Sequence, residues 1–168
     1  FGPVKNASNY KQDAIAQYGN DADKFLGYFP GENDADAAAS QLKLSRDQIF
    51  GVQNYAWANI ASSRESVVYV YRFTRKVPAT GEYVKYGAFH TGEVPYAYDN
   101  LRFVDRPWEA ADQQLASTMS GYWANFVKTG DPNGTGLPVW ERYSSADKRI
   151  MELGLQTGMK TMWDSDAL

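Results

Sequence analysis

The stretch Val67-Val68-Tyr69-Val70-Tyr71-Arg72-Phe73 decides how the rest of the chain is read. All of it except Arg72 is β-branched or aromatic, the side chains that fit a pleated surface. Odd and even positions are both apolar, so the expected strand is covered on both faces, as in the sheet of an α/β protein. A strand of that kind needs neighbours on both edges. Only one further candidate stands in the chain, Arg149-Ile150-Met151-Glu152-Leu153. The missing neighbours must therefore come from elsewhere, and the expectation is that these residues are part of a domain.

Upstream of the strand the pattern is helical. Tyr10, Ala14, Ile15 and Tyr18 share a face, with Asn9 placed to cap and Gly19 to end a first short helix. Tyr28-Phe29-Pro30-Gly31 closes a turn-rich connection over 25–31, and Asn33 can cap a second helix running to about Leu44. Ser45-Arg46-Asp47-Gln48 fits a capping box, with Ile49, Val52, Ala56, Trp57 and Ile60 at helical spacing behind it to about Ser62.

Downstream, residues 77–105 hold no sustained period and read as a long loop, a kind of segment that is often functional. Asp105-Arg106-Pro107 starts the strongest helix, with proline in its tolerated first turn, a stripe of Leu115, Met119, Tyr122, Trp123 and Phe126, and Gly130 as its stop. Asp131-Pro132-Asn133-Gly134 is a turn, and the tail from Lys160 reads as a helix fragment.

The totals narrow the function classes. At 168 residues the chain can build a core, and 15% aromatic residues imply large buried side chains or an aromatic-lined cavity. A net charge of −3 argues against a nucleic-acid or anionic-membrane partner. No window approaches the roughly 20 apolar residues of a membrane span. With no cysteine, disulfides, thiolate metal sites and a cysteine nucleophile are excluded. The first residue is Phe1 and no signal segment precedes it, which suits a processed polypeptide or a piece of a longer one.

The loop contains the single histidine, in Gly87-Ala88-Phe89-His90-Thr91-Gly92-Glu93-Val94-Pro95-Tyr96. Histidine is the side chain whose ordinary pKa suits acid–base work near neutrality, and the crevice beyond the strand ends of an open α/β sheet is where function gathers. From the residues alone, a catalytic histidine and a hydrogen-bonded structural one stand level. The spacing of His90 and Glu93 would suit two metal ligands on a helix, but the flanking glycines oppose a helix and no second histidine exists, so no metal is expected. Glu93 is expected to support the loop structurally, one step removed from the reacting atoms. Asp131 to Gly136 imitates a calcium loop, yet Arg142 stands where the bidentate glutamate belongs. No G-x-S-x-G, Walker loop or G-x-G-x-x-G is present; Ser120 falls inside a helix. No cofactor is expected, and the histidine lacks a nucleophile.

Several of these stretches together resemble the C-terminal part of the type-B carboxylesterase/lipase family, which has the α/β-hydrolase fold. Residues 67–73 resemble the family's VY-x-Y-x-F strand, and residues 87–96 its histidine loop, GA-x-H-x-x-E-(I/L)-P-(Y/F). Tyr122-Trp123-Ala124-Asn125-Phe126-Val127-Lys128-Thr129-Gly130-Asp131-Pro132-Asn133 is similar to YW-x-NFAKTGDPN, and Gly136-Leu137-Pro138-Val139-Trp140 to GLP-x-W. Tyr98-Asp99 departs from the Phe-Gly of many relatives.

The resemblance implies that residues 1–168 are the C-terminal part of one α/β-hydrolase domain of a serine-dependent carboxylic-ester hydrolase. In it His90 is the triad histidine. The nucleophilic serine, oxyanion hole and triad acid lie on an N-terminal segment, either a separate chain or one cut away. Glu93 supports the loop, and Phe89, Tyr96 and Tyr98 are candidates to line the pocket, with Tyr83 beside them. The implied partners are that segment and a small-molecule ester, and the implied location is secreted or periplasmic. Some members of the family are instead non-catalytic adhesion or binding modules. They typically lose a triad residue, and the retained histidine favours the enzyme.

Overall fold

The computed structural model describes residues 5–64 and 66–162. These fall into two compact units, Phe1–Trp57 and Ala58–Leu168.

The first unit is helical. Its α1 (Ala7–Tyr18) begins at Asn6 rather than Asn9, because the Asn6 side chain accepts from the Asn9 amide at 2.9 Å. Gly19 ends it at φ +53°, where a Cβ would be strained. Of the expected face Tyr10 and Ala14 are buried, while Ile15 stands in solvent. The expected connection from Phe25 is instead the second half of α2 (Ala22–Tyr28). Phe25 stacks on Tyr18 at 4.3 Å between centroids and on Phe29 at 5.2 Å, so tertiary packing overrides the turn signal that follows it.

Helix α3 (Asp34–Arg46) is capped by Asn33 as its residue type requires, accepting from the Asp36 amide at 3.0 Å. The capping box at Ser45 does not form, since Ser45 lies in the last turn of α3. The chain passes through one π-helical turn, Asp47–Gly51, into α4 (Val52–Ser63) without a break. A π turn absorbs one residue of phase within a continuing helix, so no new start is needed. The apolar stripe read on this segment is exposed at Val52, Trp57 and Ile60, and only Ala58 is buried.

The second unit contains a three-stranded sheet, in the order β1 (Tyr71–Phe73), β2 (Arg149–Leu153), β3 (Gly158–Thr161). Strand β1 runs parallel to β2, pairing Tyr71 with Met151 and Phe73 with Leu153. Pairing extends to either side of β1 along one edge: the Tyr143 amide donates to Val68 O at 2.7 Å and the Thr74 amide to Leu153 O at 2.9 Å. Of residues 67–73 only 71–73 form the strand, and Val67 and Tyr71 remain exposed, so the two-faced expectation holds only for the side chains that pack inward. Tyr69 and Phe73 pack on the main core, while Val68 and Val70 pack on a second cluster with Ala58, Tyr143 and Ile150. Strand β2 has the predicted bounds. The tail read as helical from Lys160 is instead the end of β3, antiparallel to β2. Lys160 opposes Ile150 and its ammonium reaches Glu152 Oε1 at 3.1 Å. Residues 163–168 lie outside the described residues.

Helix α6 (Ala110–Thr129) covers the sheet with Leu115, Ala116, Met119 and Tyr122, all buried against Trp140, Met151 and Leu153. Its start differs from the expected one at Asp105. The cap is Glu109, and Asp112 three residues on accepts from the Glu109 amide at 2.9 Å, forming a capping box with acids in both places. Pro107 therefore precedes the helix. Gly130 stops it at φ +76°. In the turn that follows, Asn133 fixes Trp140 reciprocally, accepting from its amide at 2.7 Å and donating to its carbonyl at 2.9 Å. Asp131 Oδ1 accepts from the Asn133 amide and side chain at 2.9 and 2.7 Å. These bonds hold the Asp131 carboxyl below the usual carboxylate range. The Asp-Pro-Asn run is thus a staple for a core tryptophan. No helix among the described residues is long and apolar enough to cross a membrane.

The described residues thus comprise helices and one small mixed sheet of three strands.

Candidate active site

The chain leaves β1 at Phe73, enters the core at Val77 and again at Tyr96, and the loop between them carries His90. It contains a 3-10 turn, Gly81–Tyr86, and a reversal that begins at His90 and leads into the short helix α5 (Val94–Ala97). The Val77 amide donates to Gly87 O at 3.1 Å, pinching the base of the first half. The Gly92 amide donates to Phe89 O at 2.9 Å and closes the tight turn around His90.

Local sequence explains this geometry. Gly87 sits at φ +55°, a conformation open to glycine. Gly92 is buried, and a Cβ there would stand 2.9 Å from Phe89 O and 3.0 Å from Val77 Cγ2. Thr91 adopts φ +69°, uncommon for a β-branched residue, with its hydroxyl donating to His90 O at 2.5 Å. Strain of about 1–3 kcal/mol at one residue persists only where its surroundings fix it, and such positions gather at functional sites. Gly92→Ala should therefore move the peptide between Phe89 and Gly92, and His90 with it. We expect a loss of about 1–3 kcal/mol in stability, the cost of overpacking, measured by thermal unfolding.

His90 is exposed at the head of this reversal. Glu93 is half-buried, and its carbonyl accepts from the Tyr96 and Ala97 amides at 3.0 Å. Burial, and secondly the nearby Glu93 carboxylate, push the Tyr71 hydroxyl up. The Glu93 carboxylate thus stands near the Tyr71 hydroxyl. Phe89 is half-buried, with the Arg106 guanidinium 5.4 Å from its ring centroid, and Tyr98 is exposed. Tyr96 is elsewhere. It is fully buried, packed 5.3 Å from Phe73 and 5.6 Å from Trp108 between centroids, so within this structure it is an anchor and presents no surface to a ligand.

The anchor ends in a polar cluster that the sequence reading missed. Tyr96 donates to Asp112 Oδ1 at 2.7 Å. Arg75, 8% exposed, donates through Nε to the same oxygen at 2.7 Å, through Nη2 to Asp112 Oδ2 at 3.0 Å, and to Glu109 Oε2 at 2.7 Å. Burial acts to raise the Asp112 carboxyl, but the bonds from Arg75, Tyr96 and the Glu109 amide outweigh it and hold the group below its ordinary value. Arg75 is pushed up, chiefly by its bond to Asp112, and Tyr96 is pushed up by burial and by the same carboxylate. A signal for this cluster did exist. Asp112 falls on the apolar stripe of α6 with Leu115, Ala116 and Met119, and a carboxylate on a buried stripe demands a cation.

The chain belongs to the carboxylesterase family, whose family model matches residues 4–167. Among curated relatives, fumonisin B1 esterase of Sphingopyxis macrogoltabida is 28% identical over 164 residues, covering 93% of this chain and 29% of that protein. Carboxylesterase 5A of Canis lupus familiaris is 31% identical over 131 residues, 72% of this chain and 22% of its own length. Human bile salt-activated lipase is 27% identical over 105 residues, 61% of this chain and 14% of its length. The chain thus spans less than a third of the curated relatives it matches.

Proposed function

We propose that this chain supplies His90 as the general base and acid of a serine carboxylic-ester hydrolase. The nucleophilic serine, the oxyanion hole and the triad acid come from a segment outside residues 1–168. The observation that carries the reading is the placement of His90. The one histidine is exposed at a strained, glycine-bracketed reversal beyond a sheet strand, on a loop anchored in the core at Tyr96, in a chain of the carboxylesterase family.

In that role the imidazole accepts the serine hydroxyl proton as the oxygen attacks the ester carbonyl carbon. When the tetrahedral intermediate collapses, His90 returns the proton to the leaving alcohol. A water molecule then repeats the sequence on the acyl-enzyme, and the serine is restored. Glu93 shapes the turn through its carbonyl and touches no reacting atom. Phe89 and Tyr98 supply apolar surface on the same loop for a small-molecule ester.

The test uses the full polypeptide that carries these residues. It should hydrolyse p-nitrophenyl esters, and a fluorophosphonate should stop turnover by labelling one serine outside residues 1–168. Labelling at Ser120 or another serine of this chain would contradict the assignment. Absence of both turnover and label would favour a non-catalytic relative.

A further inference from the structure

We propose that Asp112 is a positioning residue for ester hydrolysis: its carboxylate clasps both stems of the His90 loop and thereby fixes where the imidazole stands. This rests on the reading of His90 given above and goes beyond it, since it assigns a role to residues that never meet substrate.

The geometry is specific. One stem leaves the sheet through Arg75, directly after the Thr74 amide makes its bond to Leu153 O. The other returns through Tyr96, at the end of the turn that begins at His90. The two stems meet on a single atom, with Arg75 Nε and the Tyr96 hydroxyl each 2.7 Å from Asp112 Oδ1. The second oxygen, Oδ2, takes Arg75 Nη2 at 3.0 Å and the Glu109 amide at 2.9 Å, so the clasp is locked to the first turn of α6. Asp112 is wholly buried, and its bonds to Arg75 and Tyr96 are made away from water.

Between the stems Val77 enters the core and Phe89 packs against it, while most of the remaining loop stands in solvent. Residues 80–86, 88, 90 and 91 are exposed, and the long side chains of Tyr83, Val84 and Tyr86 stand in solvent. The loop is held by its ends, by Val77 in the core and Phe89 against it, by the bond from Arg106 to Pro78 O at 3.0 Å, and by the backbone bonds at Gly87 and Gly92. From Tyr96 to His90 the connection is α5 and one tight turn, so movement of the Tyr96 ring passes to His90 with little slack. A catalytic group must stand close to its productive geometry, and a displacement of about 1 Å can cost on the order of 100-fold in rate.

The experiment replaces Tyr96 with Phe in the full polypeptide, which removes the hydroxyl from Asp112 and keeps the ring in the core. Hydrolysis of p-nitrophenyl butyrate is measured at 25 °C, well below the melting temperature of the variant. We expect kcat to fall about tenfold while KM stays within about twofold, because proton transfer is impaired and the ester surface is not. Asp112→Asn, which keeps the shape and removes the charge, should lose more. Should it fail to fold, Tyr96→Phe still decides. A purely structural clasp predicts a lower melting temperature with kcat within about twofold of wild type, and that result overturns the proposal. His90→Ala separates the two claims. If it is inactive while Tyr96→Phe is fully active, the clasp alone fails. If His90→Ala keeps full turnover, the hydrolytic reading fails and the clasp with it.

Discussion

Replacing His90 with alanine is expected to lower ester turnover by a factor on the order of 10⁴ to 10⁶, with the fold unchanged. The magnitude follows from how triads work. Without a base the serine hydroxyl must lose its proton to water, and the leaving alkoxide departs unprotonated, so both acylation and deacylation are slowed. What survives is the contribution of the oxyanion hole and substrate binding, about 10³ to 10⁴ over water. His90 is exposed and sits in a turn, so its replacement opens no cavity in the core and the fold should persist. Matched thermal unfolding curves beside collapsed kinetics are the expected pair of results.

Replacing Asp112 with alanine should have the largest effect on stability, a loss of about 3–5 kcal/mol. The Arg75 guanidinium would remain buried with only the exposed Glu109 carboxylate as partner, and the Tyr96 hydroxyl would lose its acceptor. The measurement is the urea midpoint at constant m. Its pH dependence has a definite sign. The folded-state value of Asp112 is depressed, so its stabilisation is fully present above the ordinary carboxylate value of about 4 and is lost as pH falls through the lower folded value. Arg75 stays charged and Tyr96 stays protonated throughout that range, both being pushed up. The gap between wild type and Asp112→Ala should therefore be flat above about pH 4 and shrink below it.

The elements that could be read from sequence are those where one local rule meets no competitor. Strand β2 was legible as a short run carrying Ile150, Met151 and Leu153, and Gly130 because only glycine sits comfortably at φ +76°. The two faces of residues 67–73 were legible because odd and even side chains enter different clusters. Misreadings arose where distant contacts outrank local ones. Ser45 has the residues of a cap, yet the helix runs on through a π turn. Lys160 follows a pattern too short to separate helix from strand, and its pairing with β2 decides it. The start of α6 moved because Asp112 binds back to Glu109 while holding Arg75, a contact across the fold.

The histidine loop shows the same division. Its glycines, its single histidine and its family pattern were all visible in the sequence. The role of Tyr96 was not. An aromatic six residues from a catalytic candidate reads equally as pocket or as core, and its full burial between Phe73 and Trp108 distinguishes them. The carboxylate on the stripe of α6 was the available clue, and it pointed to a buried cation without saying which one.

The central claim, that His90 activates a serine, is tested most directly by the second-order rate of fluorophosphonate labelling in the full polypeptide. Wild type and His90→Gln are compared at neutral pH. That reaction needs an activated hydroxyl and asks nothing of the ester or its leaving group. The account predicts that the label rate falls by at least about a thousandfold in His90→Gln; equal rates in the two proteins would contradict it.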